Sequence, residues 1–189
     1  MKVYCCQHDI TWENREENFR RVDALLQKAE LEQGSLILLP EMFTSGFSLN
    51  VPLIAEGEDG EVRSFLSNIA LKRGVFVMGG VVSRGHQGLG RNEAVVVSPE
   101  GKQLACYCKM QTFTPSGESA HYKAGTETTI FEWGGVLVAP FICYDLRFPV
   151  WARQANNNEY DVLIYVANWP EKRNHAWKTL LVDRAIENQ

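Results

Sequence analysis

The chain has 189 residues, of which 45% are hydrophobic and 11% aromatic, enough apolar material for a globular fold with a sizeable core. Nineteen basic against 23 acidic side chains give a formal net charge of -4 with no long run of either sign, which argues against nucleic acid or an anionic membrane as a partner. No segment approaches the length of a membrane span, and Met1-Lys2-Val3-Tyr4 opens on strand-like residues without a signal-peptide core, so the expectation is a cytoplasmic protein.

Lys2 to Gln7 reads as a strand. Arg15 to Gln33 carries Phe19, Val22, Leu25, Leu26 and Ala29 at helical spacing, with Gly34 placed to end the helix. Leu36-Ile37-Leu38-Leu39 is a short apolar strand stopped by Pro40, and a second helix runs from Gly60 to Lys72. Strands follow at Val75 to Val82 and Asn92 to Ser98, and a hairpin turn at Ser98 to Lys102 leads into Gln103 to Cys108. Met110 to Thr128 is a long polar loop, which favours a functional role over a mere connection. Strands at Thr129 to Trp133, Val136 to Ile142 and Val162 to Val166 alternate with helices from Pro149 to Asn156 and from Asn174 to Asn188. Neither repeats nor a linker interrupt residues 1–189, so the expected organisation is one α/β (α+β) domain with a mixed sheet and helices outside it.

Five cysteines in a chain of this length indicate reduced thiols. Cys5-Cys6 and Cys106-Tyr107-Cys108 lack metal-knuckle spacing, and adjacent strand residues face opposite ways, so no metal site is expected there. Cys143 is different. It ends the apolar run Val136 to Ile142 and is followed by Tyr144-Asp145, the syntax of a nucleophile presented at a strand-to-helix turn. Glu41, Lys109 and Asn168 share that syntax, each standing just after an apolar strand, and polar groups at such strand ends converge at the sheet's edge. A thiol needs a base or a cation to become a nucleophile, and a buried carboxylate beside a lysine supplies both that base and an oxyanion partner.

Leu39-Pro40-Glu41-Met42-Phe43, Cys108-Lys109-Met110 and Ile142-Cys143-Tyr144-Asp145-Leu146-Arg147-Phe148-Pro149 resemble the three signature segments of the nitrilase (carbon–nitrogen hydrolase) superfamily, in the family's order. The stretches Phe43 to Phe47, Gly117-Glu118 and Tyr165 to Pro170 are similar to its ω-amidase branch, which cleaves the side-chain amide of 2-oxo acid monoamides such as 2-oxoglutaramate. The resemblance implies an αββα four-layer sandwich and a hydrolase that works through a cysteine thioester, with a small-molecule amide as substrate and no cofactor. It implies Glu41 as general base, Cys143 as nucleophile, Lys109 with the Tyr144 N–H as oxyanion holders, and Glu118 as a second glutamate that orients the lysine or aids proton transfer. Phe43, Tyr122, Asn168 and Trp169 are expected to line the substrate pocket, and Arg147 to enter a buried ion pair instead of a substrate clamp. Family chains are longer, so the C-terminal part of the family domain, with its dimer-forming segment, is expected to be absent from these 189 residues; a homodimer or higher homo-oligomer is expected where it is present. A nitrile, an N-carbamoyl amine or an aliphatic amide as substrate, and a truncated non-catalytic scaffold, are the competing readings.

Overall fold

The inward and outward sides of one strand set out the architecture. In Gly90–Val97, Ala94 and Val96 face one way, and Val95 and Val97 the other, the two-residue period of a pleated strand. Both faces are buried because each meets a different layer. The computed structural model describes residues 1–153 and 159–189.

The first sheet has five strands in the order β1 (Val3–Cys5), β2 (Leu36–Leu38), β3 (Phe76–Arg84), β4 (Gly90–Val97) and β5 (Gln103–Cys108). Strands β1 to β3 run parallel, and β4 and β5 continue the sheet antiparallel. One face receives the helices α1 (Arg15–Lys28) and, after the short α2 (Val51–Ile54), α3 (Glu61–Arg73). Val22 and Leu26 of α1 and Val62, Leu66, Ile69 and Ala70 of α3 close over Ile37, Val77, Val95 and Val97. Burying each such aliphatic side chain contributes about 1.5–3 kcal/mol before the entropy cost is counted.

The other face, with Leu36, Met78, Ala94, Val96 and Tyr107, packs on a second sheet of β6 (Phe131–Trp133), β7 (Val136–Ile142) and β8 (Val162–Val166). Phe131, Val138, Phe141 and Ile164 supply that sheet's share of the core. Beyond the second sheet come α5 (Pro149–Ala152), which contributes Ala152, and α6 (Asn174–Glu187), whose Arg184 Nε donates to the Leu146 carbonyl at 3.2 Å. The expected α/β sandwich of helix, sheet, sheet and helix is therefore present. Among the described residues no helix is long and apolar enough to cross a membrane.

Element ends depart from expectation in a few places. Helix α1 stops at Lys28, and Gly34 instead shapes the turn into β2 with φ +72°, its N–H donating to the Gly74 carbonyl at 2.8 Å. The chain must reverse there so that β2 lies parallel to β1, and Leu26 is the last fully inward position of the helix. Gly74 closes α3 in the left-handed conformation, as the sequence predicts. The long loop after β5 contains a short helix, α4 (Glu118–His121), that periodicity does not reveal in four residues. Of the helix expected from 149 to 156, residues 154–156 lie outside the described residues.

Candidate active site

The carboxyl ends of β2, β5 and β7 open onto one pocket, and each delivers one charged or nucleophilic side chain. Lys109, two residues beyond Tyr107 and on the same face, points into the space between the sheets. Its ammonium lies 2.8 Å from Glu41 Oε1 and 2.9 Å from Glu118 Oε2, and all three side chains are at most 1% exposed. Burial alone would drive the lysine towards neutrality, but the carboxylates of Glu41 and Glu118 reverse this and hold its pKa above the usual range. The chain passes over β3 so closely at Glu41 that a Cβ on Gly80 would stand 2.5 Å from Glu41 Cα and 2.4 Å from Met42 N. Gly80 is therefore the residue that admits the glutamate loop.

Neutral groups finish the carboxylates' coordination. Asn92, buried at the start of β4, donates from Nδ2 to Glu41 Oε1 at 2.8 Å and to Glu118 Oε1 at 3.0 Å. The Asn168 N–H donates to Glu41 Oε2 at 2.8 Å, and its Nδ2 donates to the Glu41 carbonyl at 2.5 Å. Glu118 also accepts the Phe113 N–H, which ties the long loop to the lysine.

Cys143 opens a tight 3-10 turn, Cys143–Arg147, with φ +47°, a left-handed conformation that a non-glycine residue holds only under constraint. Asp145 supplies that constraint. Its Oδ2 accepts from the Ile142 N–H at 3.0 Å and from Tyr107 OH at 2.7 Å, and its Oδ1 accepts from the Gln111 N–H at 2.8 Å. One buried carboxylate thus fastens the cysteine turn to the end of β5 and to the loop just after Lys109. Burial pushes its pKa up to about 6 against the opposing pull of those three donors. The Cys143 thiol is also pushed well above its ordinary range, chiefly by burial and then by the negative charge of Glu41, with Lys109 acting the other way. Cys143 and Glu41 are thus electrostatic neighbours in the buried site.

A cavity of about 270 Å³ lies over the sulfur, lined by Phe47, Phe113, Tyr144, Arg147, Trp169 and Arg173 among others. Tyr144, Asn168 and Trp169 border it, although the Asn168 amide is occupied with Glu41. Two expectations need correction. Phe43 is buried in the helix–sheet core, where its ring packs with Phe19 and Phe65; Phe47 takes the lining place, its ring 5.2 Å from the Lys109 ammonium. Tyr122 lies behind the cluster, its hydroxyl donating to the Ser48 carbonyl at 2.6 Å, and supports the floor without lining the cavity. Arg147 likewise departs from the expected buried ion pair. It is exposed at the cavity wall with its guanidinium 5.5 Å from the Trp169 ring centre, and no carboxylate pairs with it among the described residues.

The carbon–nitrogen hydrolase family model matches residues 2–189. The chain belongs to the carbon–nitrogen hydrolase family. It is 40% identical to the omega-amidase YafV of Yersinia enterocolitica over 189 residues, 100% of this chain and 71% of that protein. It is 34% identical to the 2-oxoglutaramate amidase of Bacillus subtilis over 188 residues, 99% of this chain and 72% of that protein. Among solved structures it resembles a superfamily protein of Xanthomonas campestris that carries an arsenic adduct in its active site, with a TM-score of 0.89 and 37% identity over 98% of this chain and 71% of that one.

In this carbon–nitrogen hydrolase, three residues that shape the pocket escape a search of strand ends. Asn92 stands at the beginning of a strand, not its end; because β4 runs antiparallel to both neighbours, its start is what lies beside the end of β5. The one signal is an asparagine inside a strand, a residue type depleted there. Asp145 and Gly80 carry no such mark outside their contacts.

Proposed function

We propose that the protein is an ω-amidase that hydrolyses the side-chain amide of a 2-oxo dicarboxylic acid monoamide, with 2-oxoglutaramate as the expected substrate and ammonia as the released product. The buried Glu41–Lys109–Glu118 cluster beneath a thiol carries this reading, since it provides a base, an oxyanion partner and a nucleophile in one dry site. The relatives named above for omega-amidase and 2-oxoglutaramate amidase activity support the substrate class. Arg147 and Arg173 on the cavity wall support a substrate that bears a carboxylate.

In this reaction Glu41 takes the thiol proton as Sγ bonds to the amide carbon, and the carbonyl oxygen becomes an oxyanion held by Lys109 and the Tyr144 N–H. The oxyanion then collapses, the C–N bond breaks, and the nitrogen leaves as ammonia carrying the proton from Glu41. A water gives a proton to Glu41 as its oxygen attacks the thioester. Cleavage of the C–S bond returns that proton to sulfur and frees the carboxylic acid. Glu118 is fully occupied by Lys109, Asn92 and the Phe113 N–H, so its part is to orient the ammonium. We place this enzyme in the cytoplasm and expect it to assemble as a homo-oligomer where the full family domain is present.

Values of kcat/KM measured side by side on 2-oxoglutaramate, an aliphatic amide, a nitrile and an N-carbamoyl amine test the substrate, and a clear win for any of the last three overturns it. Cys143→Ala is expected to keep its fold and release no ammonia; turnover in that variant would remove the thiol from the mechanism.

A further inference from the structure

We propose that Asn92 is a positioning residue that locks Glu41, Lys109 and Glu118 into a single oriented cluster. The inference rests on the amide hydrolysis proposed above. Asn92 is 1% exposed and touches every charged member of the set. Its Nδ2 reaches Glu41 Oε1 at 2.8 Å and Glu118 Oε1 at 3.0 Å, while its backbone carbonyl accepts the Lys109 N–H at 2.8 Å. The register of β4 against β5 makes this possible: Glu93 pairs with Cys108, so Asn92 lies across from Lys109 and shares its face.

The chemistry of the position is restrictive. Two carboxylates on one ammonium hold an excess of negative charge among side chains that are at most 1% exposed. A side-chain amide nitrogen has two hydrogens, one for each carboxylate, and adds no charge that would compete with the lysine. Aspartate in its place would bring a third negative charge, and an aliphatic residue would leave two acceptors short of a donor. Asn92 Oδ1 is buried with no hydrogen-bond partner among the described residues. Turning the amide over would aim that oxygen at both carboxylates, so its two donor bonds outweigh the unmet acceptor and fix the orientation.

The residue therefore acts through Glu41 and Lys109 and does not meet the substrate. Three measurements on the wild type, Asn92→Asp and Asn92→Ser test this: kcat and KM for 2-oxoglutaramate, the melting temperature, and the rate at which iodoacetamide alkylates Cys143 at pH 8, read at the Cys143 peptide. Asn92→Asp is isosteric and is expected to lose about 10²-fold in kcat with KM within about threefold. Its Cys143 is expected to alkylate about tenfold more slowly, since a further negative charge opposes the thiolate. Asn92→Ser keeps one donor and is expected to fall between wild type and Asn92→Asp on both readouts. A kcat within about threefold of wild type in both variants, a loss carried by KM, or failure of both to fold would assign Asn92 a packing role and overturn the proposal. If the wild type releases no ammonia from 2-oxoglutaramate, the function proposed above fails; the alkylation rates still decide Asn92, with equal rates in all three proteins overturning it.

Discussion

Glu41 Oε1 lies 2.8 Å from the Lys109 ammonium although 68 residues separate the two in the chain, and neither is exposed by more than 1%. A buried pair of this kind adds little net stability in general, but removing one partner strands a charge at a cost of about 3–5 kcal/mol. The two act on the neighbouring thiol in opposite directions: Lys109 favours the thiolate and Glu41 disfavours it.

Glu41→Gln is expected to part reactivity from turnover. Removing the carboxylate takes away the negative charge that helps hold the Cys143 pKa up, so alkylation by iodoacetamide at pH 8 should quicken. Amide hydrolysis should fall about 10³-fold, because the proposed proton acceptor is gone. A variant that slows in both assays would show that the glutamate activates the thiol in its resting state.

Asp145 sets a pH dependence of stability whose sign can be worked out. Its folded pKa is about 6, above the ordinary carboxylate value of 3.8, so between those values the folded state binds the proton and the unfolded state does not. This group's contribution to stability is therefore greatest below pH 3.8 and is lost as pH rises through about 6. Asp145→Asn should flatten that segment of the curve in urea titrations at several pH values. It should also cost about 1–3 kcal/mol by setting an NH2 against one of the three donors. An unchanged slope between pH 4 and 6.5 would locate the titrating group elsewhere.

Arg147 borders the cavity without a carboxylate partner among the described residues, so Arg147→Gln is expected to act on substrate charge. KM for 2-oxoglutaramate should rise about tenfold, the loss of roughly 1.4 kcal/mol, with kcat little altered. A neutral amide of the same length should bind as before. Equal losses on both substrates would mean that the guanidinium shapes the wall through its contact with Trp169.

Gly80→Ala should displace the Glu41 loop, since the new Cβ would meet backbone atoms of Pro40, Glu41 and Met42 at 2.4–2.6 Å and backbone cannot yield as a side chain tip can. We expect a loss of about 1–3 kcal/mol in stability and at least tenfold in kcat. By contrast Gly88→Ala, on an exposed turn with no atom within 4 Å of its Cβ, should leave kcat unchanged and lose stability only through its φ of +78°. Equal kcat in the two variants would show that the Glu41 backbone accommodates the methyl group.

Much of this fold can be read along the chain because its signals are local. Val62, Leu66, Ile69 and Ala70 repeat at helical spacing, and Gly74 follows where a left-handed cap is needed, so α3 is legible to within a residue. Short elements such as α2 and α4 span too few residues for a period to show. Phe43 is misleading for a related reason. Its place two residues after Glu41 suggests the pocket, yet Met42 adopts φ +46°, and the turn it makes carries Phe43 into the helix–sheet core.

The sequence by itself determined the chemistry that is available: apolar strands ending in Glu41, Lys109 and Cys143 are local patterns, and their residue types name a base, a cation and a thiol. Only the tertiary structure decided which groups meet. Sheet order and register carry Lys109 to Glu41, the loop with α4 brings Glu118, and the antiparallel course of β4 sets the start of a strand, with Asn92, beside the end of another. Strand pairing joins residues far apart in the chain, and no periodicity within a segment records which neighbour it will have.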